Sequence, residues 1–238
     1  MSFAPTSFAK HLPRRIPAIL ALTMATFATA AGAGPAVNWN RIVTLTPAGS
    51  HVLGNPQAKV KLTEYVSYTC QHCAHFEMES EGPLRLAYIS KGTVSIEVKH
   101  LLRDPIDLAV ALLANCGPKD KFFGNHSAFV RGQQQWIQPL IGPSAAQRTR
   151  WSAGDKVTRL RAISSDFHLY EVLEARGYSR PQLDHCLADD AMAKRIAAQG
   201  ADAQKLGITS TPSFAINGTL LAGTHDWATL EPQIKVQM

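Results

Sequence analysis

Residues 59–73 of the chain read KVKLTEYVSYTCQHC. The first part of this stretch is rich in β-branched and aromatic side chains, a composition that predicts a β-strand. A helical pattern begins at the Cys70-Gln71-His72-Cys73 motif. Two cysteines with this spacing on the first turn of a helix lie within disulfide-bonding distance of each other. The stretch therefore predicts a strand that leads directly into a helix beginning with a cysteine pair.

A second strand is predicted downstream of that helix. Residues 93–102 alternate between apolar and polar side chains after Gly92. Strand, helix and strand at this spacing predict a right-handed βαβ unit. We expect Gly82-Pro83 to kink or break the helix, because proline has no N–H to donate.

A long helical block separates this unit from further strands. Strand signals are scarce between Pro105 and Gln204. Beyond the block, Asn217-Gly218 between two strand-like runs predicts a type I′ hairpin, and Asp226 can cap a last helix that runs to about Val236. The predicted fold class is α/β, with a small sheet domain split by a helical insertion. The predicted helical stretches are Ile106–Cys116, Lys119–Gln135, Asp155–Arg176 and Arg180–Leu206, and the predicted hairpin strands are Ser213–Ile216 and Thr219–Ala222.

The N-terminus has the pattern of a secretory signal peptide. A positive region containing Lys10, Arg14 and Arg15 precedes an apolar run. The run is shorter than the roughly 20 residues that a membrane-spanning helix needs, which argues against the alternative of a membrane anchor. Small-residue triplets ending at Ala30 and Ala33 offer cleavage sites. We expect the mature chain to lie in the periplasm, an oxidising compartment.

These observations divide the chain and limit its partners. The chain of 238 residues has 24 Lys and Arg against 18 Asp and Glu, a net charge of +6. Three of the basic residues lie in the signal region, so the rest has 21 basic and 18 acidic residues, a net charge of +3. Without a basic stripe interleaved with aromatic residues, this surplus argues against nucleic-acid binding. The predicted segments are a signal peptide at 1–33, a lead-in with one edge strand at 34–57, the sheet domain at 58–104 and 205–238, and the insertion at 105–204.

The cysteine pair suits redox chemistry better than a structural role. The ring closed by Cys70 and Cys73 is very small, and a disulfide constrains the unfolded chain more as its loop lengthens. At a helix N-terminus, free N–H groups and the helix dipole favour the Cys70 thiolate, the reacting species in disulfide exchange. His72 adds an imidazole near the same sulfur. The alternatives are half of a zinc site that also uses His75, or a purely structural bridge.

Glu64 is a further candidate for the site. Alternation along the strand places it on the same face as Val66, Tyr68 and Cys70. A carboxyl group buried beneath the disulfide would have a raised pKa. It could then exchange a proton with Cys73 during catalysis. The alternative is that Glu64 is a solvated strand residue.

Together these residues resemble the DsbA-type branch of the thioredoxin superfamily of thiol:disulfide oxidoreductases. The resemblance covers roughly residues 50–236. It implies a thioredoxin fold with the helical insertion between its βαβ half and its ββα half, and it implies that Glu64 is buried. It also implies a cis Pro212 packed against the active cysteines, with Thr211 pairing its backbone with the substrate. The matching segments are Glu64–Cys73, Arg103–Asp107, Thr211–Phe214 and Asn217-Gly218.

The resemblance also implies a cycle and its partners. The Cys70–Cys73 disulfide would oxidise reduced exported proteins, and a membrane quinone-linked partner would reoxidise the enzyme, with no cofactor in the chain itself. The family's best-known oxidants have proline where this chain has Gln71, but His72 is kept. Thr211 is also common in reductase and isomerase relatives, which often dimerise through an additional N-terminal domain. The lead-in is too short for such a domain, so we expect a monomer.

Cys116 and Cys186 remain outside the active pair. Two leftover cysteines in an oxidising compartment are expected to pair, and a second bridge in the insertion resembles that of some proteobacterial relatives. The alternative is two buried free thiols. The sequence as a whole favours a disulfide oxidase. A reductase or isomerase of the same fold, and a non-enzymatic zinc-holding or chaperone-like module, are the alternatives.

Overall fold

The computed structural model describes residues 1–6 and 37–238. Most of the predicted signal peptide, including both expected cleavage sites, therefore lies outside the described residues. Within the two described ranges, no helix has the length and apolar character needed to cross a bilayer.

A mixed six-stranded sheet forms the centre of residues 37–238. Its strands are β1 (Val43–Leu45), β2 (His51–Gly54), β3 (Val60–Val66), β4 (Val94–His100), β5 (Ser213–Ile216) and β6 (Thr219–Leu220). The strand order is β1-β2-β4-β3-β5-β6. Strands β3 and β4 are parallel, and every other neighbouring pair is antiparallel. All of β3 except Lys61 is buried, as expected for a central strand covered on both faces.

Helix α1 (Gln71–Pro83) connects β3 to β4 and completes the predicted βαβ unit. The predicted kink or break at Gly82-Pro83 coincides with the end of α1 at Pro83, after which the chain continues as a π-helical turn at Leu84–Tyr88. Pro83 has no N–H with which to continue the α-helical hydrogen-bond pattern, and the π-helical turn follows it directly. Gly92 then ends the segment with φ of 71°, a left-handed conformation that favours glycine.

The insertion between β4 and β5 is entirely helical apart from its connections. One helix was not predicted: α5 follows Gly142-Pro143, and its capping box of Ser144 and Gln147 is the signal that identifies it. Cys116, just after the first helix of the insertion, forms a disulfide with Cys186, with their Cα atoms 5.6 Å apart. The helices are α2 (Pro105–Ala114), α3 (Phe122–Arg131), α4 (Gln133–Trp136), α5 (Ala145–Ser152), α6 (Lys156–Asp166), α7 (Leu169–Glu174), α8 (Arg180–Leu187) and α9 (Asp190–Lys205).

The C-terminal half returns to the sheet through the predicted hairpin. Asn217 and Gly218 both have positive φ, 51° and 83°, which is the type I′ conformation that aligns β5 with β6. Asp226 caps α10 (Trp227–Gln237) by accepting a hydrogen bond from the Thr229 N–H at 2.8 Å. Together with the βαβ unit, this hairpin and helix give the thioredoxin fold with a helical insertion, as the sequence predicts.

The lead-in contributes more to the sheet than the single edge strand expected. Residues 43–54 form an antiparallel pair of strands, and β2 pairs along its whole length with β4. The physical reason is that β4 would otherwise be an unpaired sheet edge, and β2 satisfies its backbone groups. The sequence did not predict both strands, because they are short and because glycine and proline residues lie around them.

The apolar core lies mainly on the face of the sheet that α1 covers. Phe76 of α1 packs on Phe214 of β5, with ring centroids 4.5 Å apart. Helix α2 is buried along nearly its whole length, because it runs through the middle of the insertion. A smaller cluster under α9 fills the opposite face and consists of Tyr65, Leu101, Ala203, Ile208 and Ala215.

Candidate active site

Cys70 is the N-cap residue of α1. Its backbone is extended, and its carbonyl accepts the first hydrogen bond of the helix, from the Ala74 N–H at 3.3 Å. Its sulfur therefore lies beside the free N–H groups of the first turn. Cys70 and Cys73 are both buried and carry free thiols.

Two aspartates hold the loop that leads into Cys70. The buried Asp107 accepts hydrogen bonds from the Ser67 hydroxyl at 2.6 Å and the Tyr68 N–H at 2.8 Å. Asp104 accepts one from the Thr69 hydroxyl at 2.9 Å and caps α2 through the Asp107 N–H at 2.8 Å. Hydrogen bonds thus join two of the segments that carry the family resemblance, Glu64–Cys73 and Arg103–Asp107. This role of the two aspartates was not predicted from the sequence.

Gln133 of α4 ties the insertion to the same loop. Its side-chain amide is buried and donates to the carbonyl of Tyr68 at 2.6 Å and to that of Cys70 at 3.0 Å. Nothing in the local sequence distinguishes Gln133 from the two glutamines that follow it, so this contact could not be predicted from the sequence.

The segment before β5 approaches the cysteines from the other side. The Thr211–Pro212 peptide bond is cis, and Sγ of Cys70 lies 3.2 Å from the Thr211 carbonyl oxygen. Nδ1 of His225 lies 2.8 Å from the Pro212 carbonyl. The Thr211 backbone therefore lies against the reactive sulfur, where a substrate chain can pair with it.

The two thiols have opposite acidities. A hydrogen bond from the Cys73 thiol lowers the pKa of Cys70 to about 4, and the Thr211 hydroxyl and the N–H groups of Cys73 and His72 act in the same direction. Burial, which opposes ionisation, is outweighed at Cys70. At Cys73, burial and the bond to Cys70 raise the pKa well above its usual value. Near neutral pH, Cys70 is therefore a thiolate and Cys73 a thiol.

His72 contributes to this acidity through its backbone. Its side chain is exposed and borders the same grooves as Cys70. The N–H of His72 stabilises the Cys70 thiolate. The structure therefore places the imidazole where an incoming substrate would meet it.

Glu64 is buried on β3 behind the cysteines. Burial raises its pKa well above the usual value, and the nearby Glu77 raises it further. The Glu64 charge also contributes to the raised pKa of Cys73, which shows that the two groups are close enough to influence each other. A protonated carboxyl at this position is equipped to exchange a proton with Cys73.

Glu77 was not identified from the sequence. It lies one helical turn after Cys73 in α1, and burial raises its pKa to about 7. Glu64, Glu77 and His126 all line one cavity of about 20 Å³. Nε2 of His126 lies 3.9 Å from Glu77, and its Nδ1 lies 3.0 Å from the Tyr68 hydroxyl. The four-residue spacing from Cys73 is the signal that could have indicated Glu77.

Two grooves open beside Cys70. The proline-side groove has a volume of about 460 Å³ and the insertion-side groove about 980 Å³. Cys70, His72 and Arg103 border both of them. The proline-side groove is otherwise lined by Leu101, Leu102, Gln204 and residues 208–211, and the insertion-side groove mainly by residues 69–78 and 130–141.

A zinc site is not supported by the arrangement of side chains. Across residues 1–6 and 37–238, no three His, Cys, Asp or Glu side chains are placed to hold one metal ion. Nε2 of His75, the additional ligand of the alternative zinc site, instead lies 2.9 Å from a carboxylate oxygen of Glu79.

This fold and this site define a thioredoxin-type thiol:disulfide exchange centre. The thioredoxin family model matches residues 46–236. A solved structure of a protein-disulfide isomerase from Novosphingobium aromaticivorans is 53% identical, with a TM-score of 0.76, covering 79% of this chain and 97% of that one. The chain belongs to the thioredoxin family of thiol:disulfide oxidoreductases.

More distant relatives share the fold or part of the sequence. The structure of alpha-DsbA1 from Wolbachia pipientis shares the fold at 21% identity, with a TM-score of 0.64, covering 81% of this chain and 92% of that one. A Rickettsia bellii protein named protein-disulfide oxidoreductase is 25% identical over 169 residues, which is 70% of this chain. The chain spans 56% of the length of that relative.

Proposed function

We propose that this protein is a disulfide oxidase that acts on reduced proteins exported to the periplasm. The observation that carries the proposal is the opposite acidity of the two cysteines. The pKa of Cys70 is about 4, which is about 3 units below neutral pH. Ionisation of Cys70 therefore stabilises the reduced enzyme by about 4 kcal/mol relative to an enzyme with an unperturbed thiol. For a two-electron couple this makes the disulfide about 90 mV more oxidising.

The proposed exchange proceeds in two displacements. A substrate thiolate attacks the sulfur of Cys70, the Cys70–Cys73 bond breaks, and Cys73 leaves and takes up a proton. A second substrate thiolate then attacks the substrate sulfur of the mixed disulfide, and Cys70 leaves as a thiolate. The substrate gains one disulfide and loses two electrons and two protons, and the enzyme gains the two electrons.

Glu64 serves the first displacement in this scheme. Burial, and to a smaller degree Glu77, raises the pKa of Glu64 well above its usual value and so favours the protonated carboxyl group. It can therefore give a proton to Cys73 as that sulfur leaves, and take it back when the enzyme is reoxidised. The cavity beside Glu64 and Glu77 is also lined by Glu81 and Arg85. Glu81 forms ion pairs with Arg85 and with the exposed Arg131.

The cellular setting is part of the proposal. The positive region and the apolar run of residues 1–33 support export through a cleaved signal peptide. The electrons that the enzyme gains require an acceptor, and a membrane quinone-linked partner has the appropriate chemistry. We propose that the mature chain works as a monomer.

Disulfide isomerisation is the second candidate. The 53% identical structure is titled a protein-disulfide isomerase, and Thr211 before the cis-proline is common in isomerase relatives. An isomerase would start from the reduced enzyme, and its Cys70 thiolate would attack an incorrect substrate disulfide. The same site can carry out either reaction, and the two differ in the redox form of the enzyme that starts the cycle.

The deciding measurement is the reduction potential of the Cys70–Cys73 couple in glutathione buffers. For an oxidase we expect a value between about −180 and −120 mV. A value near about −270 mV, that of thioredoxin, would contradict the oxidase and favour a reductase. Cys70→Ser should abolish the catalysed reduction of insulin, and a variant that kept this activity would exclude disulfide exchange at this pair.

A further inference from the structure

Arg103 lies where the two grooves meet beside the reactive sulfur. It borders both the proline-side groove and the insertion-side groove together with Cys70 and His72. Its position is fixed by the backbone, because its N–H donates to the buried Asp107 at 3.1 Å. The adjoining Asp104 accepts the Thr69 hydroxyl at 2.9 Å. The chain neighbours of Arg103 and Cys70 are therefore hydrogen-bonded to each other.

The Arg103 side chain is exposed, and its charge is not balanced nearby. Among residues 37–238, no carboxylate oxygen lies within 4.0 Å of its guanidinium. The other arginine of the insertion-side groove, Arg131, is paired with Glu81 at 2.9 Å. Asp104 and Asp107 cannot easily turn to Arg103, because both are committed to the loop before Cys70.

The rest of the groove lining complements a polypeptide with acidic side chains. Around Arg103 the insertion-side groove presents the amides of Gln71, Gln134, Gln135 and Gln138, two histidines, and no acidic residue. Amides pair with the backbone groups of an extended chain, and a guanidinium pairs with a carboxylate through two parallel hydrogen bonds. The grooves can therefore form hydrogen bonds with the backbone of any extended polypeptide. Arg103 adds an ion pair only when that polypeptide has an acidic side chain.

We propose that Arg103 is a specificity-determining residue, which binds a carboxylate close in sequence to the reacting cysteine of the substrate. This inference rests on the proposed exchange at Cys70. An extended chain advances about 3.3–3.6 Å per residue, so an Asp or Glu within about three residues of the substrate cysteine lies within reach of the guanidinium. The preferred substrates are then thiol or disulfide segments with acidic flanks.

The test uses pairs of two-cysteine peptides that differ only in the residues flanking the reacting cysteine, Glu in one and Gln in the other. The measured quantity is the ratio of their single-turnover oxidation rates with the oxidised full chain at low ionic strength. We expect the wild-type protein to favour the Glu peptide about fivefold, which is the upper range for a solvent-exposed ion pair. The ratio should approach one at high salt, because ions screen exposed charges.

Variants locate the effect at Arg103. Arg103→Gln should remove the preference for the Glu peptide, and Arg103→Glu should reverse it and favour a Lys peptide instead. Arg41→Gln is the matched control: Arg41 is exposed, borders neither groove, and its loss changes the net charge equally. The control should keep the wild-type ratio.

The outcomes separate this proposal from the one on which it rests. If the wild type oxidises both peptides at equal rates, or if Arg103→Gln keeps the preference, Arg103 does not select acidic substrates, while exchange at Cys70 stands. If Arg41→Gln loses the preference as well, net charge rather than Arg103 is responsible. If the wild type exchanges with no peptide in either redox direction, the proposed function itself fails.

Discussion

Replacing Cys73 with alanine tests which group makes Cys70 acidic. The hydrogen bond from the Cys73 thiol is the largest influence that lowers the pKa of Cys70 to about 4. Cys73→Ala removes this donor, and Cys73→Ser keeps a donor of similar size in the same place. Each variant contains Cys70 without its redox partner, so its thiolate can be titrated without interference from disulfide formation.

The expected size of the change follows from the hydrogen bonds around Cys70. A hydrogen bond to a charged group contributes about 1.5–3 kcal/mol, and one pKa unit corresponds to 1.36 kcal/mol. Loss of the Cys73 donor should therefore raise the pKa of Cys70 by about 1–2 units, to about 5–6. The Thr211 hydroxyl and the N–H groups of His72 and Cys73 remain and keep the pKa below that of a free thiol.

Ultraviolet thiolate absorbance measured against pH gives the pKa of each variant directly. The rate of alkylation of Cys70 over the same pH range provides an independent value. We expect Cys73→Ser to stay within about one unit of the wild-type value, because its hydroxyl can donate to the thiolate.

Equal pKa values in the alanine and serine variants would refute this reasoning. The low pKa would then come from the start of α1 and from Thr211 rather than from the Cys73 thiol. A Cys70 pKa near that of a free thiol in both variants would refute the expected contribution of the remaining donors. The Thr211 hydroxyl and the N–H groups of the first turn would then contribute little to the acidity of Cys70.

Three further changes test other parts of the structure. Burial raises the pKa of Glu77 from 4.5 to about 7. Between these values the folded state holds a proton that the unfolded chain has lost, so the wild type becomes less stable as pH rises. Relative to wild type, Glu77→Gln should gain about 3 kcal/mol of unfolding free energy in urea between pH 4.5 and 7, and a difference that stays constant with pH would show that Glu77 does not titrate in this way. Gln133→Leu leaves the carbonyls of Tyr68 and Cys70 without their donor and should cost about 1–3 kcal/mol in the same assay, whereas an unchanged midpoint would mean that these carbonyls find other partners. Replacing both Cys116 and Cys186 with alanine opens a loop of 70 residues and should cost about 4 kcal/mol, which a comparison of thermal unfolding with and without the bridge would check.

Much of the fold follows from local sequence features. The strand before Cys70, the Asn217-Gly218 turn and the Asp226 cap each depend on residues within a few positions of one another. Such signals are readable because the turn or cap needs a particular residue type at a particular place. The lead-in strands lacked these signals: β2 exists because β4 offers it an open edge, and only the folded sheet provides that edge.

The same distinction applies within the active site. The acidity of Cys70 is partly local, since the start of α1 is encoded by the residues around it. The influence of Cys73 and Thr211 on its pKa depends on side-chain positions that the spacing of the motif alone does not specify. Glu64 could be proposed because strand alternation places it on the face of Cys70, but its burial depends on α1 lying across that face.

Glu77 shows where local reasoning ends. A glutamate on α1 among Glu79 and Glu81 has the sequence context of a solvated helix face, yet Glu77 is buried with a pKa of about 7. Its burial results from packing on two sides. Ile96 and Val98 of β4 line the same cavity, and helix α3 of the insertion packs against α1 and brings His126 within 3.9 Å of the carboxylate. The insertion therefore does more than enlarge the domain, because it helps to enclose a second buried acid behind Cys73. The environment of Glu77 thus depends in part on a segment of the chain that begins 28 residues beyond it, at Pro105.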